Sequence, residues 1–219
     1  LNELIIRIFD GETFSDDIGK ALYDISNGNP LSLIQMISFL LQKGKIKVTN
    51  NKWNFNSVQI DDFPKDFESL IQARLELLDE YTLKILKEAS VLGDIISSQE
   101  LSEMSKEPLS QVVDTLGYAR RILLIEETSN PDEFVFTHRS IRSILYSMMP
   151  NEERSYFHKL AAEIEEKKSS PEKVIGRLAY HYQSAGTLEE AMGYLTKLNN
   201  QMNSVLISEG ARKGLQKRI

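Results

Sequence analysis

Apolar residues recur at helical spacing through most of the chain. Leu4, Ile5 and Ile8 are already in helical phase when it opens. Ser15, followed by Asp16 and Asp17, reads as a helix start, with acids at the positive end of the dipole. Ile18, Leu22 and Ile25 then share one face up to Gly28. Gly28 is expected to end that helix in the left-handed conformation that glycine enters freely. Asn29 can cap the next helix with its side-chain oxygen, and Pro30 suits the first helical position, where no N–H is needed. The predicted helix from Pro30 to Gln42 is apolar apart from Ser32, Gln35 and Ser38, and stops at Gly44. Two alternating runs around Asn50 and Asn51 predict a β-hairpin. Pro64 is expected to open a further helix with Leu70, Ile71, Leu75 and Leu78 on its apolar side.

A different rhythm starts at Asp79. A helix from Thr82 to Leu92, a second capped by Ser97 or Ser98, and a third opened by Pro108 follow in close order, the third turning Val112, Val113 and Leu116 inward. The runs "ILLIEET" and "EFVFTH" around the turn "SNPD" form a hairpin. Three short helices and a two-stranded hairpin are the order of a winged helix. After Pro150 the pattern is helical throughout. Tyr156, Leu160 and Ile164 mark one face of a helix that ends before Pro171. The segment "VIGRLAYHYQSAGTLEEAMGYLTKL" fits a tetratricopeptide-like hairpin, with Ile175, Leu178, Ala179 and Tyr182 in its first helix, Gly186 at the turn, and Ala191 and Leu195 in the second. One such repeat cannot bury its own faces, and the chain opens in mid-helix without methionine, so a piece of a longer protein is expected.

Composition narrows the function classes. The 219 residues are 41% hydrophobic and carry a net charge of −6. That is enough apolar content for two modest cores, and too acidic for a surface built mainly to hold nucleic acid. There is no cysteine, which excludes disulfides and thiolate metal sites. No apolar run reaches membrane-spanning length, so no membrane partner and a cytoplasmic location are expected. No GxxxxGK[ST] phosphate loop occurs. His138, His158 and His181 are far apart in sequence and lack metal spacing, and the latter two lie in amphipathic helices as packing or surface residues. The pairs Glu126-Glu127 and Glu165-Glu166 read as solvated faces. Neither a catalytic residue nor a metal site is therefore assigned, and the chain alone is expected not to be an enzyme.

DNA binding by the winged helix is disfavoured by charge. The recognition helix "LSQVVDTLGYARR" has its cations, Arg120 and Arg121, at its far end and Asp114 in its middle, and the wing tip carries Asp132 and Glu133. The late cluster Arg212, Lys213, Lys217 and Arg218 reads as a frayed helix end.

Four stretches taken in order, "GNPLSLIQMISFLLQKGKI…NKWNF", "LIQARLELLDEYTLKILKEASVLG", "FVFTHRSIRSILYSMMPNEERSYFHKLAAEIEE" and "LAYHYQSAG", carry a family likeness. From about residue 3 to 198 the chain resembles the region after the nucleotide-binding core of STAND-type AAA+ signal-transduction ATPases, found in large transcription regulators. The resemblance implies a helical lid at 1–78, a winged helix at 79–150, and a helical linker with the start of tetratricopeptide-like repeats at 151–219, mainly α with small β-hairpins. It further implies that Gly28 and Pro30 place a proline against the adenine of ATP or ADP, held with Mg²⁺ on an upstream P-loop core of the same chain. His138 in "FTHRS" is the position that could meet a nucleotide phosphate, although the family's better-known motif is Met-His-Asp. Read from the residues alone, His138 caps the helix that follows. The sensor arginine of many AAA+ lids is missing, since no cation occurs from Pro30 to Gln42. The expected role is regulatory, coupling nucleotide state to a protein partner held by the repeats. A DNA-binding regulator and a helical adaptor are the alternatives.

Overall fold

The computed structural model describes residues 2–55, 57–168 and 171–200. The basic cluster Arg212, Lys213, Lys217 and Arg218 lies outside them. The described chain is mainly helical with two small antiparallel sheets.

Helices α1 (Asn2–Ile8), α2 (Asp16–Ser26) and α3 (Pro30–Gln42) form the first layer. Phe9, just after α1, is fully buried, and its ring meets those of Phe14, Trp53 and Phe55 at centroid distances of 5.6, 5.1 and 5.0 Å. This edge-to-face cluster pins the hairpin β1 (Lys47–Thr49) and β2 (Lys52–Asn54) to the bundle. Asn50 and Asn51 both take positive φ, 51° and 61°, as the tight turn predicted from the sequence requires. Helix α4 (Phe67–Leu75) starts later than Pro64 implied. The Asp66 side chain accepts from the Ser69 amide at 2.7 Å, and a capping carboxylate fixes the start more firmly than a proline three residues upstream of the helix.

The second unit runs α5 (Glu80–Leu92), β3 (Ile95–Ser97), α6 (Ser98–Ser105), α7 (Leu109–Arg121), β4 (Ile125–Glu127) and β5 (Glu133–Phe136), followed by α8 (Arg139–Ser147). Strand β3 is the addition to the expected order. It is only three residues long, too short to show a period, and it exists because β5 supplies its partners, with Ile96 opposite Phe134. The sheet order is β3-β5-β4, so this unit has the winged-helix arrangement. Its core joins Ile85, Leu86, Leu101, Val112, Leu116, Phe134, Ile141 and Leu145. Val113, expected inward, is 43% exposed, because the burial stripe of α7 runs through Val112, Thr115, Leu116 and Ala119 instead.

Helices α9 (Asn151–Lys168) and α10 (Pro171–Ala185) pack as an antiparallel pair, and 188–200 is a further helix after a turn at Gly186. The inward face of α9 carries Phe157, Ala161 and Ile164, whereas Tyr156, expected on that face, is 50% exposed, one position off the buried stripe. Ile175, Leu178, Ala179, Tyr182 and Ala191 are buried as expected. Leu195 is not buried, being 47% exposed.

Candidate functional site

The junction between α2 and α3 is built in three steps. Asn27 enters the left-handed region first, at φ 47°, and Gly28 follows at 69°, so the helix ends at Ser26, with Asn27 rather than the glycine as its cap. The Asn29 side chain accepts from the Leu31 amide at 2.9 Å, and Pro30 is the first residue of α3. A methyl on Gly28 would stand 3.7 Å from the Tyr23 ring. Asn29 and Pro30 are exposed and Gly28 is half-buried. The junction therefore presents the proline ring outward, with the asparagine side chain folded back on its own helix.

His138 stands at the first turn of α8. Its Nδ1 accepts from the Ser140 amide at 3.1 Å, and its ring meets that of Phe67 edge-on, 4.8 Å between centroids. The capping role read from the residues is thus what the geometry holds. With Nδ1 an acceptor, the ring's proton stands on Nε2, which is the atom that can donate to a ligand.

Behind the junction, α3 does something its sequence hid. Gln35, Ser38 and Gln42 fall on one stripe of this otherwise apolar helix, and they face the C-terminal end of α7. Helix α7 closes with a Schellman arrangement, the Leu124 amide donating to Ala119 O and the Leu123 amide to Arg120 O. The left-handed position is filled by Leu123, at φ 61°, where glycine is usual and a side chain costs about 1 kcal/mol or more. Carbonyls at a helix end have no partner within the helix. Here α3 supplies partners. Gln35 Nε2 donates to Leu123 O at 2.9 Å, and Ser38 Oγ donates to Ile122 O at 3.1 Å. Thr137, after β5, adds its hydroxyl to Leu123 O at 3.0 Å.

The centre of this contact is Arg74 of α4, the largest fully buried side chain among the described residues. Its Nε donates to Gln42 Oε1 at 2.9 Å, and its Nη2 donates to Ser38 Oγ at 3.1 Å and to Ile122 O. Burial pulls the guanidinium down to about 10, still charged at neutral pH. A cation at the negative end of α7 is also favoured by the helix dipole. Arg74 Nη1 and Gln35 Oε1 are buried without a hydrogen-bond partner. The signal in the sequence was a lone arginine among Leu70, Ile71 and Leu75, on the apolar side of its helix.

A second polar group, also missed, lies where α8, α9 and α10 meet. His158 and His181 are 23 residues apart in sequence and both buried, and their Nδ1 atoms are 2.9 Å apart. Tyr146 Oη is 2.8 Å from His158 Nε2. Burial, with Arg142 and Arg154 nearby, holds His158 down at about 4; burial, with His158, Arg177 and Arg142 nearby, holds His181 at about 3. Both imidazoles are therefore neutral at pH 7. One turn before His181, Arg177 Nε stands 3.1 Å from the buried Glu165, and burial lifts that carboxyl to about 7 against the pull of the arginine. Glu88 of α5 is likewise lifted to about 7 by burial, with Lys84 4.0 Å away opposing.

The outward face of α7 shows Gln111, Val113 and Asp114. Arg120 is paired with Glu127 at 2.7 Å, and Arg121 lies 5.8 Å from the centre of the Tyr118 ring. Among the described residues no three His, Asp or Glu group as metal ligands, and no helix is long and apolar enough to cross a membrane. Compared with known proteins, the chain matches no family model and no curated protein.

Proposed function

We propose that this chain is the regulatory relay of a STAND-type AAA+ ATPase, coupling the adenine-nucleotide state of a P-loop core to helical repeats that engage a protein partner. The observation that carries the reading is the cap across units. The lid-like bundle supplies hydrogen-bond partners for the carbonyls of Ile122 and Leu123, which close α7, through Gln35, Ser38 and Arg74. A lid that moves with nucleotide state must carry α7 with it or leave Ile122 O bare, while Leu123 O keeps only Thr137. A buried carbonyl without a partner costs about 1–3 kcal/mol, so the two units move together or separate completely. That two-state behaviour is what a domain rotation biased by ligand needs.

The α2–α3 junction suits a base. Pro30 offers an exposed apolar ring, Gly28 adds no side chain beside it, and Asn29 is folded away. ADP or ATP, when bound with Mg²⁺ on the core, would supply the charge difference that biases the two states. In this chain Gly28 and Pro30 would hold the base, and His138 Nε2 would donate to a phosphate oxygen. The test is Pro30→Ala in the protein that includes the core. Alanine is tolerated at this first-turn position, so the melting temperature should hold. Loss of two apolar methylenes at about 0.8 kcal/mol each should weaken ADP binding roughly tenfold. Unchanged affinity in a folded variant would reduce the junction to helix punctuation.

The helical-adaptor reading has its own support in the exposed apolar side chains of the 188–200 helix, Leu188, Met192 and Leu195. Nucleotide titration separates the two, since an adaptor has no nucleotide dependence.

A further inference from the structure

We infer that the cleft between the α5–β3 turn, α8 and α10 is a binding site for the phosphate group of a small molecule. The cleft has a volume of about 400 Å³ and is lined by Leu92, Asp94, Ile95, Arg142, Arg177, Tyr180 and His181, with Gly93 at the turn. Arg177, Tyr180 and His181 stand at i, i+3 and i+4 on α10, so one helix face presents all three. Arg142 comes from α8 on the opposite side.

Each guanidinium is anchored through its Nε and lines the cleft. Arg142 Nε donates to Ser90 O at 3.0 Å, and its Nη1 stands 3.4 Å from Asp94 Oδ1. Arg177 Nε pairs with Glu165 at 3.1 Å, and its Nη2 stands 3.6 Å from Glu100. Arg142 Nη2 and Arg177 Nη1 make no hydrogen bond to a described residue. Planar guanidiniums fixed in this way match the tetrahedral oxygens of phosphate better than lysines would.

The buried histidine pair adds a third donor. A phenol O–H is a stronger acid than an imidazole N–H, so Tyr146 donates to His158 Nε2. His158 then carries its proton on Nδ1 and donates to His181 Nδ1. His181 must carry its own proton on Nε2, the nitrogen left for the cleft. The Tyr180 hydroxyl, on a residue 45% exposed, is a fourth donor. Four residues able to donate, two of them cationic, line a space of small-molecule size. The acceptor at the rim is Asp94, whose side chain is 95% exposed and whose contact with Arg142 is long, so a dianion displaces it easily. This inference is independent of the nucleotide reading, because the cleft is lined by α5, β3, α8 and α10 and by nothing from the α2–α3 junction.

The experiment is calorimetric titration of this chain with inorganic phosphate at low ionic strength, with chloride and acetate arms. Saturable binding to phosphate and neither other anion is expected. Arg142→Gln should weaken it about tenfold, as loss of a charge-assisted hydrogen bond does. Asp94→Asn, at the exposed rim, should tighten it about threefold by removing a competing charge. Because Arg177→Gln strands a buried carboxyl, it is made together with Glu165→Gln, and the folded double variant should also bind about tenfold more weakly. Absence of saturation, binding that survives both arginine replacements, or equal binding of acetate would overturn the assignment.

Discussion

Where α3 and α4 meet the end of α7, one fully buried arginine faces only neutral oxygens, those of Gln42, Ser38 and Ile122. Where α9 and α10 meet α8, two neutral histidines pair with each other and a buried glutamate pairs with a half-exposed arginine. Both are seams between units, and both are polar. The first is insensitive to pH over the physiological range, because Arg74 at about 10 stays charged. The second carries groups whose protonation differs between folded and unfolded chain. A seam that must act as a rigid coupling is best served by a permanent charge, and one that opens onto a cleft can use titratable donors.

The largest effect is expected at the first seam. Arg74→Ala removes one of the two donors to Ile122 O, leaves a cavity, and should cost about 3–5 kcal/mol by urea denaturation. Arg74→Met refills the volume and removes the buried charge, yet leaves Ile122 O and Gln42 without that partner; about 1–3 kcal/mol is expected. If Met and Ala cost the same, the volume of the side chain rather than its hydrogen bonds holds the seam.

The second seam should reveal itself through pH. His158 and His181 titrate at about 4 and 3 when folded, against an ordinary 6.5. As pH falls below 6.5 the unfolded chain gains protons that the folded chain refuses. Their contribution is full above pH 6.5 and is lost as pH falls toward 4 and then 3. Glu165 has the opposite sign. At about 7 when folded against an ordinary 4.5, it contributes fully below pH 4.5 and less as pH rises through 7. The two slopes oppose each other between pH 4.5 and 6.5. Glu165→Gln should therefore make stability rise more steeply with pH, by on the order of 2 kcal/mol across pH 4.5 to 7. Parallel curves for parent and variant would refute the assignment of a buried, proton-holding Glu165.

Smaller effects test the surroundings of the junction. Asn29→Ala removes the cap on Leu31 N–H and should cost about 1 kcal/mol. Smallest of all, Arg120→Gln breaks the exposed pair with Glu127 and should change stability by no more than about 0.5 kcal/mol. In a low-salt anisotropy titration the same variant should leave weak, non-specific DNA binding as it was. Tight binding lost with Arg120 would instead make the winged helix a DNA reader.

Local chemistry decided much of this protein without help from distant residues. The limits of α3 follow from Asn29 and Pro30 at one end and Gly44 beyond the other, and the Asn50-Asn51 turn fixes the first hairpin, because caps and tight turns depend on neighbours within a few residues. The burial of Ile175, Leu178, Ala179 and Tyr182 follows from their spacing alone. Tertiary structure decided what spacing cannot carry. Strand β3 has three residues and no period, and becomes a strand only because β5 lies beside it. Val113 and Tyr156 sit one position from the buried stripe of their helices, a rotation that packing partners set. Arg74 and the histidine pair needed the fold most. A charge is tolerated in the core only where another element's carbonyls reach it, and two imidazoles 23 residues apart meet only because α9 and α10 lie antiparallel.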